Sequence, residues 1–164
     1  MAQVVAHRKT TIGVISDTHG LLRAEACAAL RDSDLIIHAG DIGKPGILEG
    51  LREIAPVVAV RGNNDKGDWA SGLREHEVVE VAGVFLYVLH DLAELDLDPA
   101  AVEFKVVIAG HSHRPKIERR GGVIYLNPGS AGPRRFKLPV ALARLRVAAH
   151  EVEAEILELS EDRK

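Results

Sequence analysis

Short apolar runs that stop abruptly on glycine and polar residues recur along this chain. Ile12-Gly13-Val14-Ile15 passes into Ser16-Asp17-Thr18-His19-Gly20, Asp34-Leu35-Ile36-Ile37-His38 into Ala39-Gly40-Asp41, and residues 57–60 into Arg61-Gly62-Asn63-Asn64-Asp65. A short apolar run without alternation fits a strand covered on both faces, as in a parallel sheet. Between these runs, residues 21–31 carry apolar positions on a helical spacing, with no glycine or proline among them. Lys44-Pro45-Gly46 opens a second helix that runs to about Ile54 and is ended by Pro56. Three strand-helix units in succession predict a parallel sheet whose polar strand ends gather at one edge.

The pattern changes after Trp69. Residues 75–81 and 84–90 are strand-like and are separated by Ala82-Gly83, which predicts an antiparallel hairpin; its second arm ends on His90. Residues 92–103 are acidic, with a weak helix expected around Pro99. Val106-Val107-Ile108-Ala109 reads as another buried strand and runs into Gly110-His111-Ser112-His113. Two short strands across Gly121-Gly122 then lead to Asn127-Pro128-Gly129-Ser130. Alternation over residues 140–147 and 151–159 predicts a closing hairpin with one wet face. With no internal repeat or linker in view, a single domain over residues 1–164 is expected.

Composition narrows the function classes. A net charge of −3 without any basic stretch argues against a general nucleic-acid binder. The longest apolar runs are only a few residues, and the first ten residues, with His7, Arg8 and Lys9, lack the apolar centre of a signal peptide. A soluble cytoplasmic protein with no membrane partner is therefore expected. Cys27 is the sole cysteine, which rules out an intrachain disulfide and a thiolate zinc cage. Its place in the first helix predicts a buried, inert thiol.

Five strand ends deliver Asp17, His19, Asp41, Asn63, His90, His111 and His113. Asp17 and His19 lie two apart in a segment read as extended, so their side chains would leave on one face and converge. A carboxylate and an imidazole sharing a point suggest a metal ion or an acid/base pair. Any one of these residues could be a satisfied polar group. The repetition at nearly every buried strand is what points to a site.

Asp17-x-His19, Gly40-Asp41, Gly62-Asn63, His90 and Gly110-His111-Ser112-His113, in this order and spacing, resemble the calcineurin-like metallophosphoesterase superfamily, and most of all its small single-domain bacterial and archaeal phosphodiesterases. The resemblance runs from about Ile12 to Val147 and takes in the Asn127 to Ser130 turn. It implies an α/β fold, a four-layer α/β-β/α sandwich of two mixed sheets, with the metal site at the carboxyl edge of the strands. It further implies two divalent metal ions per chain, one held by Asp17, His19, Asp41 and His113 and the other by Asp41, Asn63, His90 and His111, with Asp41 bridging. The oxygen and imidazole ligand set suits manganese first, with nickel, iron, zinc or magnesium as alternatives. A hydroxide on such a pair would attack the phosphorus of a small phosphate-ester substrate, most readily a diester. Homo-oligomerisation is left open.

Two positions depart from the family pattern. Where a histidine commonly follows the metal-binding asparagine and assists the leaving group, this chain has Asn64, which cannot act as an acid but can hydrogen-bond a phosphate oxygen. Where a glycine commonly follows the metal-binding histidine, it has Asp91, which would lower the charge near the second metal. Asn64 and Asp41 are accordingly the residues expected to act on substrate and metals together. His38 is expected to make a core or supporting hydrogen bond. His7, His76 and His150 are expected at the surface, and Arg134 and Arg135 near the site, either on phosphate or in solvent. Two other functions compete: a non-catalytic scaffold like the retromer coat subunit, which shares the fold, and a phosphomonoesterase acting on a protein or small metabolite.

Overall fold

The computed structural model describes residues 2–4 and 9–159. The chain runs through β1 (Ala2–Val4), β2 (Thr10–Ile15), α1 (Ala24–Leu30), β3 (Leu35–His38), α2 (Pro45–Arg52), β4 (Val57–Ala59) and α3 (Asp68–Ser71). It continues through β5 (His76–Val81), β6 (Val84–Leu89), β7 (Phe104–Ile108), β8 (Lys116–Arg120), β9 (Val123–Asn127), β10 (Ala141–Ala148) and β11 (Glu151–Glu158). The strands form two mixed sheets, one in the order β11-β10-β2-β3-β4 and the other β1-β5-β6-β7-β9-β8. In the first, β2, β3 and β4 are parallel, as the strand-helix units require, and the closing hairpin adds β10 antiparallel to β2. Parallel pairing of β6, β7 and β9 forms the centre of the second.

The sheets pack face to face. Ile12, Val14, Leu35 and Ile37 of the first sheet and Val79, Leu86, Val106, Ile108 and Leu126 of the second belong to one apolar cluster, all of them 0–1% exposed. A second cluster joins the outward residues Ile15, Ile36 and Leu142 to Leu30 of α1 and to Ile47, Leu48 and Leu51 of α2. This double cover explains why every residue of β3 is buried and why its sequence does not alternate. Alternation is clear in the second half of β10 and at the start of β11, the wet hairpin face.

Several expectations need adjustment. β1 was not anticipated; it lies parallel beside β5, pairing Ala2 with Val79. The short α3 was also missed. No helix forms around Pro99. The Phe104 amide donates to the Pro99 carbonyl at 2.9 Å and the chain turns out of it through Glu103 at φ 62°, so a single turn cannot propagate. Among the described residues the outer face of the six-stranded sheet is thus covered by irregular chain and a short 3-10 turn (Leu92–Glu94), with Leu95 and Leu97 packed on Tyr87, Leu89 and Val107. Cys27 is half-buried, short of the full burial expected; burial still raises its pKa and favours the unreactive thiol.

The interior between the sheets carries most of the apolar burial, so Ile37→Ala is expected to lower unfolding free energy by roughly 2–5 kcal/mol. Val102→Ala, at a position 51% exposed, should change it by less than about 0.5 kcal/mol. Urea unfolding of both variants against the parent measures the difference.

Candidate metal centre

Where β2 and β3 end, their following loops continue side by side. The amides of Asp17, His19 and Gly20 donate to the carbonyls of Gly40, Asp41 and Ile42 at 3.0, 2.9 and 2.8 Å. The β6 and β7 ends are joined in the same way, the Gly110 amide donating to the His90 carbonyl at 2.9 Å. Such close backbone approach leaves no room for side chains. A Cβ on Gly62 would collide with the backbone and carboxylate of Asp41, and one on Gly110 with Ser16 and Asp17. This accounts for the glycines that precede Asp41, Asn63 and His111.

The segment from Asp17 to His19 is not extended, as the sequence reading had it. Asp17, His19, Asp41, His111 and His113 all adopt left-handed backbone, with φ between 45° and 70°. The side chains after β2, β3 and β7 therefore converge because the chain turns left-handed there, and strand alternation does not aim Asp17 and His19. Such backbone costs on the order of 1 kcal/mol or more per residue and persists only where its surroundings enforce it.

Two groups result, each presenting its ligand atoms within 4.8 Å of one another: Asp17, His19 and His113, and Asp41, His90 and His111. Asp41 lies between them, with Oδ2 at 3.3 Å from His90 Nε2 and 3.8 Å from His19 Nε2. Asn63 lines the same cavity as His90 and His111. Burial is uneven: Asp17, Asp41, His90 and His113 are buried, whereas Asn63 and His111 are exposed.

The hydrogen bonds leave selected atoms unsatisfied. Asp17 Oδ2 accepts from the Ser16 hydroxyl at 2.6 Å and the His111 amide at 3.1 Å. Its other oxygen, Oδ1, is buried without a hydrogen bond, facing Nε2 of His113, His19 and His90 at 3.3, 3.7 and 4.0 Å. His90 meets the Ala39 carbonyl through Nδ1 at 2.7 Å, so Nδ1 carries the proton. His90 Nε2 is then left buried and unpaired opposite Asp41, a place that only a proton or a cation can fill. Burial would lower the His90 pKa, but the Asp41 carboxylate and the Ala39 carbonyl prevail and raise it to about 8. Burial likewise opposes ionisation of both aspartates. For Asp17 it is outweighed by His19, the Ser16 hydroxyl and the charges of His90 and His113, and for Asp41 by His90 and Asn64; both carboxyls stay below their usual range. His19 is raised by Asp17, and His113 is lowered by burial, with Arg135 close enough to disfavour protonation of both. Anionic oxygens and unpaired imidazole nitrogens converging in this way fit divalent cations.

Supporting residues explain how the convergence is held. Asn64 donates to both Asp41 oxygens, from its backbone amide to Oδ1 at 2.9 Å and its side chain to Oδ2 at 3.0 Å, so its amide is engaged on the carboxylate. Asp65, which the sequence reading passed over, is buried and accepts from Gly62 and Gly43 at 2.8 and 3.0 Å, pinning the two loops together. Its place at the end of Gly62-Asn63-Asn64-Asp65 was the available signal, since aspartate caps turns through its own side chain. Ser130 reaches the Asp17 carbonyl at 2.9 Å, and Asn127 the Gly110 carbonyl at 2.9 Å, which explains the turn between them. Asp91 Oδ1 caps the 3-10 turn at Ala93, while its other oxygen lies 3.8 Å from His111 Nε2. His76 and His150 are exposed as expected; His7 lies outside the described residues.

His38 is fully buried beneath the site. The Gly40 amide can only donate, so His38 Nδ1 accepts from it at 3.1 Å, and Nε2 carries the proton that meets the Thr18 hydroxyl at 3.0 Å. Thr18 donates onward to the Ile42 carbonyl at 2.8 Å. Both ring nitrogens are thereby occupied, and the residue ties the loop after β2 to the loop after β3.

Two packed mixed sheets, with carboxylates and imidazoles in two groups of three at the strand ends, form an α/β sandwich that carries a candidate metal centre. Residues 11–150 match the calcineurin-like phosphoesterase superfamily domain, and the chain belongs to that superfamily. It is 34% identical over 158 residues to a probable metallophosphoesterase of Methanothermobacter thermautotrophicus, covering 89% of this chain and 91% of that one. It is 27% identical over 136 residues to a phosphodiesterase of Methanocaldococcus jannaschii, covering 72% and 82%. The structure of vacuolar protein sorting 29 from Cryptosporidium parvum superposes with a TM-score of 0.74 at 16% identity, over 94% of this chain and all of that one. Membership implies divalent metals, and the two groups above are where this chain offers ligands for them.

Burial holds His38 neutral, with its pKa lowered to about 4 from 6.5. The unfolded chain takes up a proton near 6.5 while the folded one does not, so this residue's contribution is intact above about 6.5 and is lost progressively towards 4. The loss should reach on the order of 3 kcal/mol. Unfolding free energies between pH 7 and 4 should fall less steeply in His38→Gln than in the parent; parallel slopes would remove this account.

Proposed function

We propose that this chain is a phosphodiesterase working through a dinuclear metal centre. One ion would be held by Asp17, His19, Asp41 and His113 and the other by Asp41, Asn63, His90 and His111, with manganese first among the candidates. The observation that carries this reading is the position of the Asp41 carboxylate between the two imidazole groups, together with the unpaired buried oxygen of Asp17. When bound, such a pair of ions activates water and steadies the attacking and leaving oxygens of an in-line displacement at phosphorus. The remaining roles belong to the chain. Asn64 orients Asp41, Ser16 and the His111 amide orient Asp17, and the exposed edge formed by Asn63 and His111 admits the phosphate. Asn64 supplies no proton to the leaving group, so esters of acidic alcohols are favoured.

Preference for a diester rests on charge. Two divalent ions against Asp17 and Asp41 leave a formal charge of about +2, and Asp91, next to His111, brings it to about +1. A monoanionic diester suits that field better than a dianionic monoester. The name of the methanogen relative, a phosphodiesterase, supports the same choice. A scaffold role, suggested by the fold shared with the sorting protein, has less support because every ligand position is filled here.

Two experiments test this reading. Metal content per chain should fall to near zero in Asp41→Ala and to about half in His113→Ala or His111→Ala, because only a bridging carboxylate serves both ions. Unchanged stoichiometry in Asp41→Ala would remove the bridging role, and failure to cleave bis(4-nitrophenyl) phosphate with any divalent cation would favour the scaffold. Asp91→Gly should raise monoester turnover relative to diester turnover by roughly tenfold, the effect of about 1 kcal/mol or slightly more of relieved repulsion. An unchanged ratio would leave the enzyme standing without the charge argument.

A further inference from the structure

Two cavities meet at the exposed edge of the metal centre. The first, of about 490 Å³, contains the charged and polar side chains of Arg61, Asn63, Lys66 and Glu75. The second, of about 310 Å³, lies on the outer face of the six-stranded sheet between β7, β9 and the 3-10 turn. Its walls include Leu92, Val107, Ala109 and Tyr125, with Arg114, Lys116 and Glu118 also lining it. Both cavities share the same two residues, Asp91 and His111.

The second cavity follows from the irregular cover on that face. Val107 and Ala109 at its floor are themselves nearly covered, 1% and 4% exposed, so Leu92 and Tyr125 carry most of the accessible apolar surface. The covering segment turns at Asp91, whose carboxylate caps Ala93, and carries Leu92 outward, where it is 39% exposed. A hollow with an apolar wall is left beside His111, with room for about ten water-sized atoms.

A phosphomonoester has one organic arm, whereas a diester has two, which leave phosphorus in different directions. Resting on the phosphodiesterase reading above, we infer that the substrate is an unsymmetrical phosphodiester. Its polar arm lies in the cavity of Arg61 and Lys66, and its apolar arm, of about six to eight carbons or one aromatic ring, fills the hollow between Leu92 and Ala109. Phosphate at His111 would place the start of each arm at the mouth of a cavity. At the rim Lys116 is paired with Glu118 at 3.2 Å, which leaves the apolar wall as the feature the arm meets.

Methyl alkyl phosphates, which lack a good leaving group, serve as probes on the manganese-loaded protein. Their dissociation constants are measured by calorimetry as the alkyl arm grows from methyl to hexyl, alongside hydrolysis of bis(4-nitrophenyl) phosphate. Affinity should rise by up to about fourfold per methylene, the full transfer value, and by at least roughly a hundredfold over the series. Leu92→Asn, at a partly exposed position, should reduce hexyl binding at least roughly fivefold and leave dimethyl phosphate unaffected; Ala109→Leu, which fills the hollow, should do the same. A flat series with intact diester hydrolysis overturns the apolar subsite and leaves the phosphodiesterase. A graded series without hydrolysis of any diester upholds the subsite and removes the catalytic reading. Absence of binding by every probe overturns the subsite and, where bis(4-nitrophenyl) phosphate is not hydrolysed either, removes the catalytic reading as well; hexyl binding unaltered in the two variants overturns the subsite.

Discussion

Two carboxylates, those of Asp17 and Asp41, are withdrawn from water where the two sheets meet, and much of the surrounding structure answers that cost. A buried anion needs donors or cations around it, since its desolvation is worth several kcal/mol. One oxygen of Asp17 receives a hydroxyl and an amide, and both oxygens of Asp41 receive donors from Asn64. The other Asp17 oxygen faces imidazole nitrogens alone. In Asp17 the imbalance separates the oxygen used to hold the carboxylate in place from the oxygen turned towards cations.

The same requirement shapes the backbone. To bring carboxylates and imidazoles from different strands to one region, the chain turns left-handed at five of them, and the loops carrying them press together at glycines. The buried links of His38 and Asp65 hold those loops in register from below. Strain at the site is therefore opposed by hydrogen bonds whose own residues touch neither metal position. The enclosing sheets add rigidity through an interior made almost wholly of aliphatic side chains.

A shared fold does not by itself establish chemistry. The sorting protein has nearly the same backbone, and a superposition at 16% identity speaks of architecture only. What distinguishes a hydrolase is the filling of each strand end by a suitable ligand and the shape of the space beside it. Here that space is divided in two by Asp91 and His111, one side charged and the other largely apolar. The division arises because the cover over the six-stranded sheet is irregular chain, whereas the opposite face is closed by helices.

Much of this was legible in the order of residues. Short apolar runs identified β2, β3, β6 and β7, and the polar residues that end them, with the glycine-ligand pairs after β3, β4 and β7, marked the site. The lone Cys27 ruled out a thiolate metal cage, and the net charge of −3 argued against general nucleic-acid binding. Tertiary structure decided the rest. Left-handed turns, not strand alternation, aim Asp17 and His19, because close packing of neighbouring loops overrides local preference. The supporting roles of Asp65, Ser130 and His38 depend on partners 20 or more residues away, beyond the reach of local pattern. The helix expected at Pro99 gave way to a turn, and the hollow beside His111 exists only because two distant segments fail to close on each other, a matter of packing that no single stretch of sequence encodes.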